Sequence, residues 1–379
     1  MRYEELPVTP TLITWARTRA GISVEEATKT FKRIQAWEEG EACPTYPQLE
    51  QMADEFKVPV AVFFFPEPPT VPEISETFRT LPETEFQRIP TRVRLLLRKA
   101  KAFQLNLMEL TGGRNPSPRL ITRDLALPRN GNLSQIVDAV RAYLGVSLDE
   151  QRGMPDDEAA LKRWRDAIFS AGIYVFKDAF KIDEYSGFCL YDDIFPIIYV
   201  NNSSSKTRQI FTLFHELAHL LFHTSGIDTI HDEYIPHLAS EAQRIEILCN
   251  RFAAEFLLPE QALNAAMRGQ RATEATAETI AMSFHVSREV VFRHFLDRGL
   301  IDQAAYNEAA ERWASQRQAG GRGGDYYWTK LAYLGREYVA LALSQYRQNR
   351  ISESQLAEYL DTKPKNLTGI EEYFVRSGA

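Results

Sequence analysis

The stretch Phe211–His223, FTLFHELAHLLFH, constrains this chain more than any other. A helix so apolar must be buried in a core rather than laid on a surface. Yet it carries His215, His219 and His223, and five of the seven histidines of the chain fall between His215 and His237. Buried imidazoles need partners. The fold must therefore supply polar chemistry inside a hydrophobic interior.

His215 and His219 are four residues apart, so on a helix their rings are neighbours on one face and can share one metal ion. Glu216 follows the first histidine, offset around the helix, where its carboxylate can reach a metal-bound water without filling a coordination position. That division of labour is the one in the HExxH zinc proteases. A third ligand is needed. The metzincin spacing would place a histidine at position 225 and a glycine at 222, but these are Ser225 and Phe222. A glutamate on a following helix is the other solution, and Glu246 fits. It forms a stripe with Asn250, Ala253 and Leu257, flanked by Ile245, Leu248, Cys249, Phe252 and Phe256. A carboxylate on so apolar a helix calls for a cation, either zinc or a salt-bridge partner. Asn250, one turn on, is spaced to orient a ligand histidine. His223 extends the histidine row by four and reads as a structural or substrate-lining residue. His231, Tyr234 and His237 lie between the two helices; one of them could stabilise an oxyanion, or all could be ordinary loop residues.

The rest of the 379-residue chain reads as helical, with one strand-rich region. TLITWARTRA ends at Gly21, SVEE opens a second helix as a capping box, and YPQLEQMADEF is a third amphipathic segment. A Pro-rich linker, PEPPTVPE, follows, then a basic helix closed by Gly112 and Gly113. IYVF, SGFCLY and FPIIYVN read as strands from their β-branched and aromatic content. The helix carrying His215 is expected to stop near Gly226. AGGRGGDYY reads as a hinge before a helical tail. The segments expected are 1–66, 67–130, 131–300 and 301–379. A net charge of -7 argues against a strongly basic nucleic-acid binder. Three scattered cysteines without CxxC spacing point to a reducing compartment, and the first ten residues lack the apolar run of a signal peptide. The expectation is a cytoplasmic protein without membrane contact.

The segments RQIFTLFHELAHLLFH and EILCNRFAAEFLLP, preceded by FPIIYVN, resemble the ImmA/IrrE family of zinc metallopeptidases. The shared patterns are R-x-x-F-T-x-x-H-E-x-x-H and E-x-x-x-N-x-F-A-x-x-x-L-x-P. The resemblance covers about residues 130 to 300. It implies a zinc site with His215, His219 and Glu246 as ligands and Glu216 as base. It also implies a protein substrate, often an XRE-type repressor or antitoxin, cut to release transcription under stress. WEEGEACPTYPQLEQMADEFKVPVAVFFFPEPP resembles the second half of an XRE-type helix-turn-helix domain. The first half departs: Ala27 to Trp37 is about three residues short for a turn and a recognition helix. IAMSFHVSREVVFRHF also has helix-turn-helix spacing, with a helical wall of the peptidase domain as the plainer reading.

The expected fold is α+β: an XRE-like helical N-terminal domain, a zincin-like core with a small sheet, and a helical C-terminal extension. The first functional reading is a zinc endopeptidase, with an edge strand near PIIYVN holding the substrate extended. The second is a DNA-binding regulator whose zincin domain acts as a sensor. The third is an interaction module with an inactive zinc, which the intact Glu216 argues against. DNA contact is expected to be weak and non-specific. The N-terminal domain is expected to meet a protein instead, either the substrate or a second copy of the chain.

Overall fold

A computed structural model describes residues 4–56, 58–69, 89–125, 131–229, 240–316 and 324–376. It forms two compact units. One comprises residues 1–76 and 83–99, the other residues 77–82 and 100–379. This grouping is coarser than the four segments expected from sequence. No helix among the described residues is long and apolar enough to cross a membrane.

The first unit is helical, with helices Pro10–Ala20, Val24–Thr30, Ile34–Glu38 and Tyr46–Phe56 and a 3-10 turn Val60–Phe64. Gly21 ends the first helix in the left-handed region at φ 76°, and Ser23 caps the second by accepting from the Glu26 amide. The third helix has only five residues. Ile13, Ala16, Phe31, Ile34, Trp37, Leu49, Met52, Phe56 and Phe63 form the core. Arg17 crosses it to meet Glu38 at 2.6 and 3.0 Å.

The second unit is built on a four-stranded mixed sheet of order β1-β3-β2-β4. The strands are β1 Tyr174–Asp178, β2 Tyr185–Leu190, β3 Ile197–Asn201 and β4 Ile227–Thr229. β1 runs parallel to β3, whereas β2 pairs antiparallel with both β3 and β4. Side chains alternate between the two faces. Val175, Cys189, Ile198 and Val200 join a core with Ile210, Leu213, Phe214 and Leu217 of the helix Lys206–Leu221. Opposite, Phe176, Phe188 and Tyr199 pack ring on ring, covered by Phe103 and Tyr338. Both faces are therefore dry, which explains strands that read as continuous apolar runs.

Three expectations are corrected. The strand Ile197–Asn201 is interior, paired on both sides, so it offers no edge for a substrate. The helix carrying His215 ends at Leu221 rather than near Gly226, because His223 turns left-handed at φ 57°. The space gained holds β4, whose short IDT sequence has too little apolar pattern to announce a strand. The stretch RNPSPRLITRDLALPRNGN, residues 114–132, reads as loop from its prolines and asparagines, but Ile121–Asp124 forms a short helix. The helices Glu274–Phe284 and Arg288–Asp297 lie within IAMSFHVSREVVFRHF and its flanks; their Ile280, Phe284, Val291, Phe292 and Phe295 belong to the same core as the sheet. Most of the Gly-rich 319–327 stretch lies outside the described residues, and a helix starts at Tyr326 under an Asp325 cap.

Candidate metal centre

Two helices bring the chemistry together. Ser205 caps Lys206–Leu221 by accepting from the Arg208 amide, and every side chain from Thr212 to Leu221 is buried. His215 and His219 are 1% exposed and Glu216 is 0% exposed. The second helix, Ser240–Leu257, turns Glu246, Cys249, Ala253 and Phe256 inward and Ile247 outward. Phe214 stacks on Phe256 at 4.1 Å and locks the two helices face to face.

Within this interface the Nε2 atoms of His215 and His219 stand 3.2 Å apart. Glu246 reaches His215 Nε2 with Oε2 at 3.5 Å and His219 Nε2 with Oε1 at 3.3 Å. A tetrahedral metal with bonds of about 2.0 Å has ligand-to-ligand edges of about 3.3 Å. The three separations match those edges. Asn250 Oδ1 lies 3.0 Å from His215 Nδ1, and Thr224 Oγ1 lies 3.2 Å from His219 Nδ1. The Thr224 hydroxyl gives its one proton to the His219 carbonyl at 3.0 Å, so its oxygen can only accept from Nδ1. Both rings thus donate outward from Nδ1, and their Nε2 atoms turn lone pairs to a common point.

The field at that point favours positive charge. Burial alone would lower the His215 pKa, but Asp228, Glu246 and Glu216 push it up to about 9. Burial also opposes the charged form of His219, but Cys249 and Glu246 hold it well above its ordinary range. Glu246 is held well below the carboxylate range because the two imidazoles outweigh its burial. A divalent cation answers the same demand, displacing the protons. Glu216 differs. Burial pushes it up to about 7 against the pull of both histidines. Neither of its oxygens has a hydrogen bond of normal geometry. The Cys189 thiol lies beside it and interacts weakly with it, while donating to the Thr224 carbonyl and accepting from the Gly226 amide. A buried carboxylate without such bonds is costly and marks a place where something else belongs. The donor set, its spacing and the poorly bonded carboxylate fit a metal ion with a water beside it.

Residues 170–295 match the IrrE N-terminal-like domain, peptidase family M78. No curated protein matches the chain. The IrrE-like segment contains all four strands, both helices of the candidate site and every residue in its buried His215, His219 and Glu246 group. The match supports a peptidase function, and the group is compatible with a bound metal.

His223 stands apart from this group. Its exposed ring stacks on Tyr191 at 4.9 Å and its Nε2 faces the Thr122 carbonyl at 3.1 Å. The row of histidines stops at two because the helix ends before the third. His231, Tyr234 and His237 lie outside the described residues. Sequence reasoning missed Thr224 and Asp228. Asp228, on β4, takes Arg208 Nη2 at 2.8 and 3.0 Å and the Thr212 hydroxyl at 2.8 Å. Arg208 and Thr212 were visible as the R-x-x-F-T part of the motif, but their partner lies beyond the helix end and had no local signal.

Proposed function

We propose that the chain is a zinc-dependent endopeptidase acting on a protein substrate. The observation that carries this reading is Glu216, fully buried beside His215 with neither carboxylate oxygen in a hydrogen bond of normal geometry. His215, His219 and Glu246 would hold the zinc as three protein ligands, which leaves a position open as catalytic sites do. Zinc bound there supplies Lewis acidity, polarising the scissile carbonyl and making a nearby water more acidic. Glu216 takes the proton of the attacking water on a carboxylate oxygen and passes it to the leaving amine. In the metal-free protein burial raises this carboxyl above its ordinary range, the direction that a group acting first as base and then as acid requires. Asn250 keeps the His215 ring in one tautomer throughout.

The strand bordering these residues is β4, at one edge of the sheet. An extended peptide would add to that edge, held by main-chain hydrogen bonds. The resemblance of the two site helices to the ImmA/IrrE family suggests the substrate: an XRE-type repressor or antitoxin whose cleavage releases transcription under stress. Purified chain incubated with the repressor encoded beside it should cut it. Chelator should stop cleavage, zinc should restore it, and Glu216→Gln should keep zinc but not cut. Cleavage that survives both chelator and Glu216→Gln would overturn the reading.

A further inference from the structure

We infer that Thr224 is a positioning residue for the metal, fixing His219 in the tautomer and rotamer that binding requires. The inference rests on the reading of the His215, His219 and Glu246 group as a metal site. It goes beyond that reading by assigning a role to a residue outside both helices.

The turn after the helix is built around one imidazole. His223, a non-glycine residue at φ 57°, reverses the chain two residues beyond the end of the helix. The Thr224 amide then donates to the His219 carbonyl at 2.9 Å, and the Thr224 hydroxyl donates to the same oxygen at 3.0 Å. With its proton committed, the hydroxyl can only accept from His219 Nδ1 at 3.2 Å. Thr224 is 8% exposed, so water competes little for these bonds. Two residues later Gly226 passes the other side of the ring, where a Cβ would stand 2.5 Å from His219 Cδ2. Cys189 on β2 fastens this segment to the sheet by bonding with the Thr224 carbonyl and the Gly226 amide. His219 is thus gripped by its own helix, the hydroxyl and the backbone of the turn. His215 has a different partner, the Asn250 amide on the second helix. The two ligands are held independently, and loss of one support should leave the other intact.

Partners of this kind are worth roughly ten- to hundredfold in metal affinity. The test uses the full chain, metal-free, titrated with zinc against a chromophoric chelator. Thr224→Val keeps the shape and loses the hydroxyl; Thr224→Ala loses both and covers the case in which Val does not fold; Thr224→Ser keeps the hydroxyl. Expected is a ten- to hundredfold weaker zinc affinity in the Val and Ala variants, with the Ser variant within a few-fold of wild type. Cobalt-loaded protein adds a second reading, since a displaced imidazole changes the visible absorption of the ion. Wild-type affinity in a folded variant without the hydroxyl, or failure of Ser to restore it, would overturn the role of Thr224. If the wild-type chain itself takes up no zinc, it is the metal reading that fails.

Discussion

Gly226 lies so close to the His219 ring that a Cβ there would fall 2.5 Å from Cδ2 and 2.7 Å from Nε2. The ring edge that carries Nε2 and the chain leading into β4 share one van der Waals surface. The backbone of Gly226 is not in the left-handed region, so space and not φ demands glycine. Gly226→Ala should therefore tilt His219 or push β4 outward, costing about 1–3 kcal/mol as overpacking does. Zinc affinity should fall more than tenfold. Unchanged melting temperature and zinc affinity in this variant would show that the turn has room to relax.

Glu216 links the site to pH. Its carboxyl has an ordinary value of 4.5 and is pushed up to about 7 by burial in the folded, metal-free protein. Folding therefore disfavours the ionised form. Below 4.5 the group is neutral in both states and carries no penalty; the penalty grows with pH and is complete above about 7. Metal-free Glu216→Gln should gain stability relative to wild type between about pH 5 and about pH 8, on the order of 2–3 kcal/mol by denaturant unfolding. A gap that stays flat across that range would mean the carboxylate is solvated or paired.

Glu246 is the third ligand in the proposed metal site. Glu246→Ala should weaken zinc by orders of magnitude, and it should also cost the metal-free protein stability, because both buried imidazoles lose their carboxylate. His223→Ala is the matched control. Its ring faces the Thr122 carbonyl and stacks on Tyr191, so zinc content should not change. Metal analysis of the two proteins side by side decides the point. Full zinc in the first or loss in the second would exchange their roles.

Asp228 anchors β4 to the helix that carries His215. Its carboxylate is 4% exposed and holds Arg208 and Thr212 together. Asp228→Asn leaves Arg208 without its charge partner and should cost roughly 1–3 kcal/mol, read from thermal or denaturant unfolding. Because Asp228 also raises His215, the loss should lower the pKa of that imidazole in metal-free protein, which NMR titration would follow.

Much of this was legible in the chain because it is local. Helical periodicity, Gly21 and Gly113 at helix ends, and the four-residue spacing of His215 and His219 are short-range patterns, and the helices Pro10–Ala20, Val24–Thr30 and Tyr46–Phe56 appear where they were expected. Glu246 and Asn250 stood out as polar residues on an apolar stripe. Non-local features were not legible. Nothing in FPIIYVN says that two other strands will flank it. Nothing in HTSG says that a histidine will take the left-handed turn in place of the glycine three residues on, since bulky residues rarely adopt it. That single substitution of roles hid Thr224, β4 and Asp228 together.

The far side of the sheet has its own logic. Among the described residues β1 pairs only with β3, and its Val175 carbonyl accepts from Arg165 Nη2 at 2.8 Å while Arg165 Nη1 reaches the Ala332 carbonyl at 2.9 Å. Tyr338 packs on Phe176 from the same C-terminal stretch. The last fifty or so residues thus act as a sheath over a bare strand. A chain shortened before Asp325 would keep His215, Glu216, His219 and Glu246 and lose that sheath. It would be prone to self-association through β1, so the C-terminal stretch bears on solubility rather than on the chemistry of the candidate site.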